Sequence, residues 1–212
     1  MAGYSNHFTP SFLKAKEIVF SGEIGKIISG TSFMHKYWMS KERRNWHLYR
    51  KSGGGMWLTI GVHLIDRLTY LMRSKVSSVS ANLGTYFHEQ EAHDSSTAYL
   101  RYESGAGGLI SCIGYKAGAP VEETMLVGSK GSIKIGLSAG VSIGKDNQWQ
   151  NIPNTSTEDL HFSALTNEWL AFKQYVESGE SDDIVDLDFA AHIMDVVFSA
   201  EKSSEKGQEI KL

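Results

Sequence analysis

An α+β fold, with helices packed on one face of a large, mostly antiparallel sheet, follows from three features of the sequence. The stretch from Lys75 to Ile152 carries short β-branched and aromatic runs separated by glycine-containing turns, with no helical pattern between them. Strands so closely spaced leave no room for crossover helices and must pair mostly antiparallel. Apolar residues recur at helical spacing near the start, in the middle and at the end of the chain. The 212 residues, 41% hydrophobic and 21% charged, suffice for a sizeable core in a single domain over 1–212.

Gly3 to Phe8 reads as a short strand or strand end. Thr9-Pro10 then gives an N-cap and a first helical position, Phe12, Ala15, Ile18 and Val19 keep helical period, and Gly22 supplies the stop. Gly25 to Tyr37 is rich in β-branched and aromatic residues and reads as a strand. Met39 to Ser52 is a polar, basic loop in which Trp46 and Tyr49 are interleaved with Lys41, Arg43, Arg44, His47, Arg50 and Lys51. A loop this long in a compact domain is either a solvated connection or a lid whose cations recognise an anionic or hydroxylated substrate.

Gly53-Gly54-Gly55 leads into a central helix that extends to Met72. Leu58, Val62, Ile65, Thr69 and Met72 make its apolar face, and Thr59, His63 and Asp66 fall on a neighbouring polar face at i, i+4 and i+7. The glycines fit a tight turn, and their N–H groups at a helix start also admit an anion site. Strands follow over 75–88, 95–102, 109–115, 121–127, 132–137, 140–143 and 148–152. A helix beginning near Glu158 carries Phe162, Leu165, Trp169, Phe172 and Val176 on one face. Asp186 or Asp188 caps a final helix lined by Phe189, Ile193, Val196, Val197 and Ala200, and Glu209 to Leu212 ends the chain as a strand. Covering one sheet face with helices leaves the other, of mixed polarity, for self-association, for which an isologous homo-oligomer is the commonest form.

Several function classes are disfavoured. A net charge of −3 gives no support for a nucleic-acid or anionic-membrane partner. No apolar run approaches the roughly 18 residues of a membrane span, and no signal peptide is visible. Cys112, the one cysteine, forms no intrachain disulfide, which fits a cytoplasmic setting. The histidines lack H-x-H or H-x-x-x-H spacing, so no metal site is expected. The acidic run Asp182, Asp183, Asp186 and Asp188 is most simply a solvated loop and helix start.

Three stretches together resemble the C-terminal domain of the glucose–fructose oxidoreductase/inositol dehydrogenase (Gfo/Idh/MocA) family. Gly3 to Pro10 with Gly22 to Ile27 is similar to the start of that domain, Gly53–Gly55 with Gly61-Val62-His63-Leu64-Ile65-Asp66 to its glycine-rich D-x-G-x-H-x-x-D helix, and Val127 to Ile133 to its G-x-x-G strand turn. The resemblance implies the substrate-binding and oligomerisation domain of an NAD(P)-dependent oxidoreductase acting on a small hydroxylated sugar, polyol or cyclic substrate. It implies His63 as the catalytic proton-handling residue, with Thr59, Asp66, Arg44, Trp46 and Asn6 around the substrate. Two departures matter. No G-x-G-x-x-G fingerprint and no Glu-Lys-Pro motif occur, so NAD or NADP is expected only with a Rossmann domain or a Rossmann-domain partner, and the chain alone is expected to be inactive. Thr59 stands where many members carry an aspartate; a hydroxyl can hydrogen-bond a substrate but is no carboxylate base. The competing reading is a non-catalytic dimeric binding or scaffold protein on the same fold.

Overall fold

The computed structural model describes residues 2–41, 43–136, 140–152, 160–179 and 186–212. Four α-helices and nine strands are present among them, and the α+β class is borne out. The chain divides into two compact units, 1–27 with 125–192 and 28–124 with 193–212.

In the first unit the expected strand at the start is instead a 3-10 turn, Ser5–Phe8. The sequence there has too few β-branched residues to hold an edge, and the Thr9 side chain folds back onto the Asn6 carbonyl at 3.0 Å. Thr9 then caps α1 (Pro10–Phe20), its hydroxyl accepting the Phe12 N–H at 3.3 Å, and Gly22 ends it at φ 78°. The expected inward residues Phe12, Ala15, Ile18 and Val19 are all buried. The C-terminal part of β5 (Val121–Gly128) lies in this unit, and β6 (Gly131–Gly136), β7 (Gly140–Lys145) and β8 (Gln148–Ile152) form an antiparallel ladder. The Gly128–Gly131 turn is fixed by the Ile24 carbonyl, which accepts the Lys130 N–H at 2.9 Å.

α3 (Leu160–Ser178) departs from expectation. Phe162, Leu165, Trp169, Phe172 and Val176 were expected on the core face, yet all five are exposed; Phe162 is 70% and Trp169 68% accessible. The inward face is built from the small residues Ala164 and Ala171, which cluster with Phe8. A helix apolar on both sides with one side open presents a surface suited to a partner. Asp186 caps α4 (Leu187–Lys206) by accepting the Phe189 N–H at 2.6 Å, and Asp182 and Asp183 lie outside the described residues.

In the second unit the strand order is β1 (Ile27–Tyr37), β4 (Gly107–Tyr115), β3 (Ser95–Tyr102), β2 (Val76–Gly84), β9 (Ile210–Lys211). β1 and β4 are parallel, Thr31 opposite Leu109 and His35 opposite Ile113; the other pairs are antiparallel. β3 alternates strictly: Ser96, Ala98, Leu100 and Tyr102 are buried, and Thr97, Tyr99 and Arg101 exposed. Its buried side takes α2 (Val62–Met72) and the later turns of α4, where Ser203 and Ser204 hydroxyls accept the Ala81 and Leu83 N–H groups at 3.0 and 2.8 Å. The other side is open and mixed in polarity, with Tyr99, Leu109 and Ile113 beside His35, whose Nε2 lies 2.9 Å from the Ser111 hydroxyl.

Candidate functional site

The central helix is not α-helical throughout. Trp57–Gly61 forms a π turn, and α2 begins only at Val62. A π turn holds more residues than an α turn, so it slips the phase of everything before it. This explains why Leu58, expected on the apolar face with Ile65, is only half-buried while Trp57 is buried; Val62, at the first position of α2, is also half-buried, and Leu64, Ile65, Leu68 and Leu71 fill the core. Trp57 anchors the turn: its indole Nε1 donates to the Val197 carbonyl at 3.1 Å. Gly61 is required by close approach, since a Cβ there would sit 2.6 Å from the Trp57 ring.

The polar stripe expected along this helix divides by depth. Thr59 and His63 are half-buried and one turn apart. Asp66 is wholly buried and belongs to the interior. The Thr59 hydroxyl donates to the Gly55 carbonyl at 2.7 Å. With its proton so used, it can meet a substrate only as an acceptor. Farther along the helix, Arg67 reaches Glu122 at 3.3 Å and is almost fully buried.

The glycine run that opens the helix is a tight crossing, not an anion cradle. Gly53 and Gly55 have φ of 79° and 91°, and a Cβ on Gly54 would lie 2.5 Å from the His47 carbonyl oxygen. The N–H groups of Gly54, Gly55 and Met56 are spent on the carbonyls of Tyr49, His47 and His93, at 3.0, 2.9 and 2.7 Å. No free amide of these three remains for a phosphate, so the glycine run itself offers no cradle for the pyrophosphate of a dinucleotide.

The basic loop is largely ordered by short 3-10 turns, Asn45–Leu48 and Arg50–Ser52. Arg50 is committed to Glu201 on α4 through two charge-assisted bonds of 2.6 and 2.5 Å, which also raise its pKa. Arg43 lies over the Trp38 indole, 3.8 Å from its centroid, and its Nε donates to the Trp38 carbonyl at 2.5 Å. The Trp46 ring stacks on His47 at 3.6 Å. Ser40, Arg43, Arg44, Trp46 and His47 line an open cleft of about 400 Å³. Of the residues expected around a substrate, Arg44 and Trp46 therefore share one cleft, with Arg44 exposed. Asn6 belongs to the other unit, where its carbonyl accepts the Thr9 N–H and hydroxyl.

Sequence reasoning missed the segment that props this loop. Asp94 is fully buried and accepts the N–H groups of Tyr86, Phe87 and His88, each at 2.9 Å, and pairs with His88 Nδ1 at 3.0 Å. The segment so folded presents the Ala92 and His93 backbone to Leu48 and Met56. The available signal was an aspartate just before a strand, where a carboxylate often closes a turn onto backbone N–H groups. Arg43 was singled out only as one cation among several. No group of three or more His, Cys, Asp or Glu residues is arranged to hold a metal among the described residues.

Comparison with known proteins supplies the relatives. Residues 12–134 match the family described as GFO/IDH/MocA C-terminal domain. The scyllo-inositol 2-dehydrogenase (NAD(+)) of Bacillus subtilis is 25% identical over 218 residues, spanning 99% of this chain and 61% of the relative. The 1-carboxy-3-chloro-3,4-dihydroxycyclohexa-1,5-diene dehydrogenase of Comamonas testosteroni is 24% identical over 115 residues, 54% of this chain and 29% of that protein. Among solved structures, levoglucosan dehydrogenase in complex with NADH and levoglucosan matches with a TM-score of 0.84 at 18% identity, over 99% of this chain and 65% of that one. Such low identity shows the fold alone. The chain thus spans less than two thirds of the length of these relatives.

Proposed function

Because the chain belongs to the GFO/IDH/MocA C-terminal domain family, we propose that it is the substrate-binding and oligomerisation part of an NAD(P)-dependent oxidoreductase. Its substrate is a small hydroxylated ring or polyol. The observation that carries this reading is His63, half-buried one turn after Thr59 on a helix that starts in a π turn. Imidazole titrates near neutrality and suits a base that takes the hydroxyl proton as the carbinol carbon is oxidised. Thr59 accepts a hydrogen bond from a second substrate hydroxyl, and buried Asp66 keeps the helix in place without touching substrate. The hydride acceptor, NAD or NADP, enters with a Rossmann domain or Rossmann-domain partner. The spent amides of Gly54, Gly55 and Met56 support this division of labour.

The relatives' names span a neutral polyol and a carboxylated ring diol, which supports reading the substrate as a cyclic hydroxylated molecule. Two surfaces are assigned to partners. The outward stripe of α3, with Trp169 and Val176, is assigned to the cofactor-binding partner. The open sheet side with Tyr99, Leu109 and Ile113 is assigned to a second copy. No helix among the described residues is long and apolar enough to cross a membrane, and the buried lone thiol of Cys112 accords with a cytoplasmic setting. Calorimetry with NAD and NADP tests the division directly: weak or absent binding is expected, and tight binding by this chain alone contradicts it. Light scattering tests self-association, for which a strictly monomeric chain is the contrary result.

A further inference from the structure

We propose that the substrate carries a carboxylate and that Arg43 is the residue that holds it, an inference that rests on reading this loop and helix as a substrate site. Arg43 is half-buried, and burial lowers its pKa without bringing its guanidinium near neutrality at physiological pH. Among the described residues it has no carboxylate partner, whereas Arg50 and Arg67 are each paired with a glutamate. A partly desolvated cation with no counter-ion among the described residues is costly unless a ligand completes it.

The way Arg43 is held favours a particular ligand. Stacking on Trp38, which is fully buried, fixes the guanidinium plane. Trp38 is itself fixed by its Nε1 donating to the Gln90 side chain at 3.3 Å. The Nε bond to the Trp38 carbonyl uses one donor edge, leaving the two terminal nitrogens as a parallel fork. That fork matches the two oxygens of a carboxylate. A phosphate asks for more donors, and the neighbouring Gly54 and Gly55 amides are already taken. Beside the fork, the Trp46–His47 stack offers a flat wall for a ring and Ser40 a hydroxyl. His47, which lines the cleft, crosses Gly54 at the start of the helix that carries His63.

The test is calorimetric titration of the full chain at low salt with shikimate, a hydroxylated cyclohexene carboxylate. Its neutral methyl ester, myo-inositol and inorganic phosphate are the comparison ligands. The acid should bind at least about 10-fold more tightly than the ester, as expected for a charge-assisted bidentate pair. Arg43→Gln should bring the acid down to the level of the ester, Arg43→Lys should restore little because it lacks the fork, and His63→Ala should keep the acid's advantage. Equal binding of acid and ester, no saturable binding of the acid, tighter binding of phosphate, or an Arg43→Gln variant that binds the acid normally each overturns the proposal. The acid–ester comparison needs no variant, so it stands even if Arg43→Gln folds poorly. Equal binding of acid, ester and inositol would sink the carboxylate while leaving the oxidoreductase reading intact; that reading fails separately, on inactivity of the chain assembled with a cofactor domain.

Discussion

Gly61→Ala sets two opposing effects against each other at the π turn. Gly61 has φ −56° and ψ −38°, ordinary helical values, so alanine meets no backbone strain. Helix propensity alone would make the substitution stabilising by about 1 kcal/mol. Against this, the new Cβ would lie 2.6, 3.1 and 3.2 Å from three atoms of the Trp57 ring. That ring cannot swing away: Trp57 is fully buried and its Nε1 is hydrogen-bonded to the Val197 carbonyl. Overpacking of an enclosed ring costs about 3 kcal/mol. The net is a loss of about 2 kcal/mol, or about 4–8 °C in Tm for a chain of this size. Thermal and urea melts followed by near-UV circular dichroism read it out. Repeating the substitution in a Trp57→Leu background removes the clash, and there alanine should stabilise by about 1 kcal/mol. A neutral or stabilising Gly61→Ala in the native background would refute the reasoning, because it would mean that the indole yields.

Asp94→Asn leaves three backbone donors and His88 without their shared carboxylate, and should cost about 3 kcal/mol in urea unfolding; a change below about 1 kcal/mol would remove Asp94 as the prop of the loop. The Cys112 thiol is wholly buried and its pKa is pushed far up by that burial, so a disulfide reagent should not label it in the folded chain and should label one thiol per chain in urea; rapid labelling without denaturant would contradict its placement. Burial holds the His35 pKa below 6.5 in the folded state, so the unfolded chain binds the proton first as pH falls. Its contribution to stability is therefore intact above pH 6.5 and lost as pH drops from there through the lower folded value. His35→Gln should flatten the fall in stability between pH 7.5 and about pH 5.5, and an equal fall in both proteins would count against it.

Much of the fold was legible because it rests on local signals. Thr9-Pro10 and Gly22 delimit α1 as read, and the alternation Ser96-Ala98-Leu100-Tyr102 marks the buried side of β3. The failures have tertiary causes. Periodicity cannot reveal the π turn, because its extra residue is fixed by the size of Trp57 and its distant carbonyl partner, Val197. It also assigns the richest apolar stripe of a helix to the core, which fails for α3, where Ala164 and Ala171 face inward and the large residues face out. In the site, His63 and Thr59 could be picked out as helix neighbours. Arg43 could not be distinguished from Arg44 and Arg50, because what separates them is the Trp38 ring under Arg43 and, among the described residues, the pairing of Arg50 with Glu201, far away in sequence.

The most direct measurement is hydride transfer by the chain joined to, or mixed with, a cofactor-binding domain, over a panel of cyclic hydroxylated substrates, with wild-type His63 and with His63→Ala. Loss of the proton-handling group should lower kcat by about 10²–10⁴-fold, while the melting temperature stays within a few degrees of the parent's. A His63→Ala protein that folds and turns over at the parental rate would contradict the assignment at its centre.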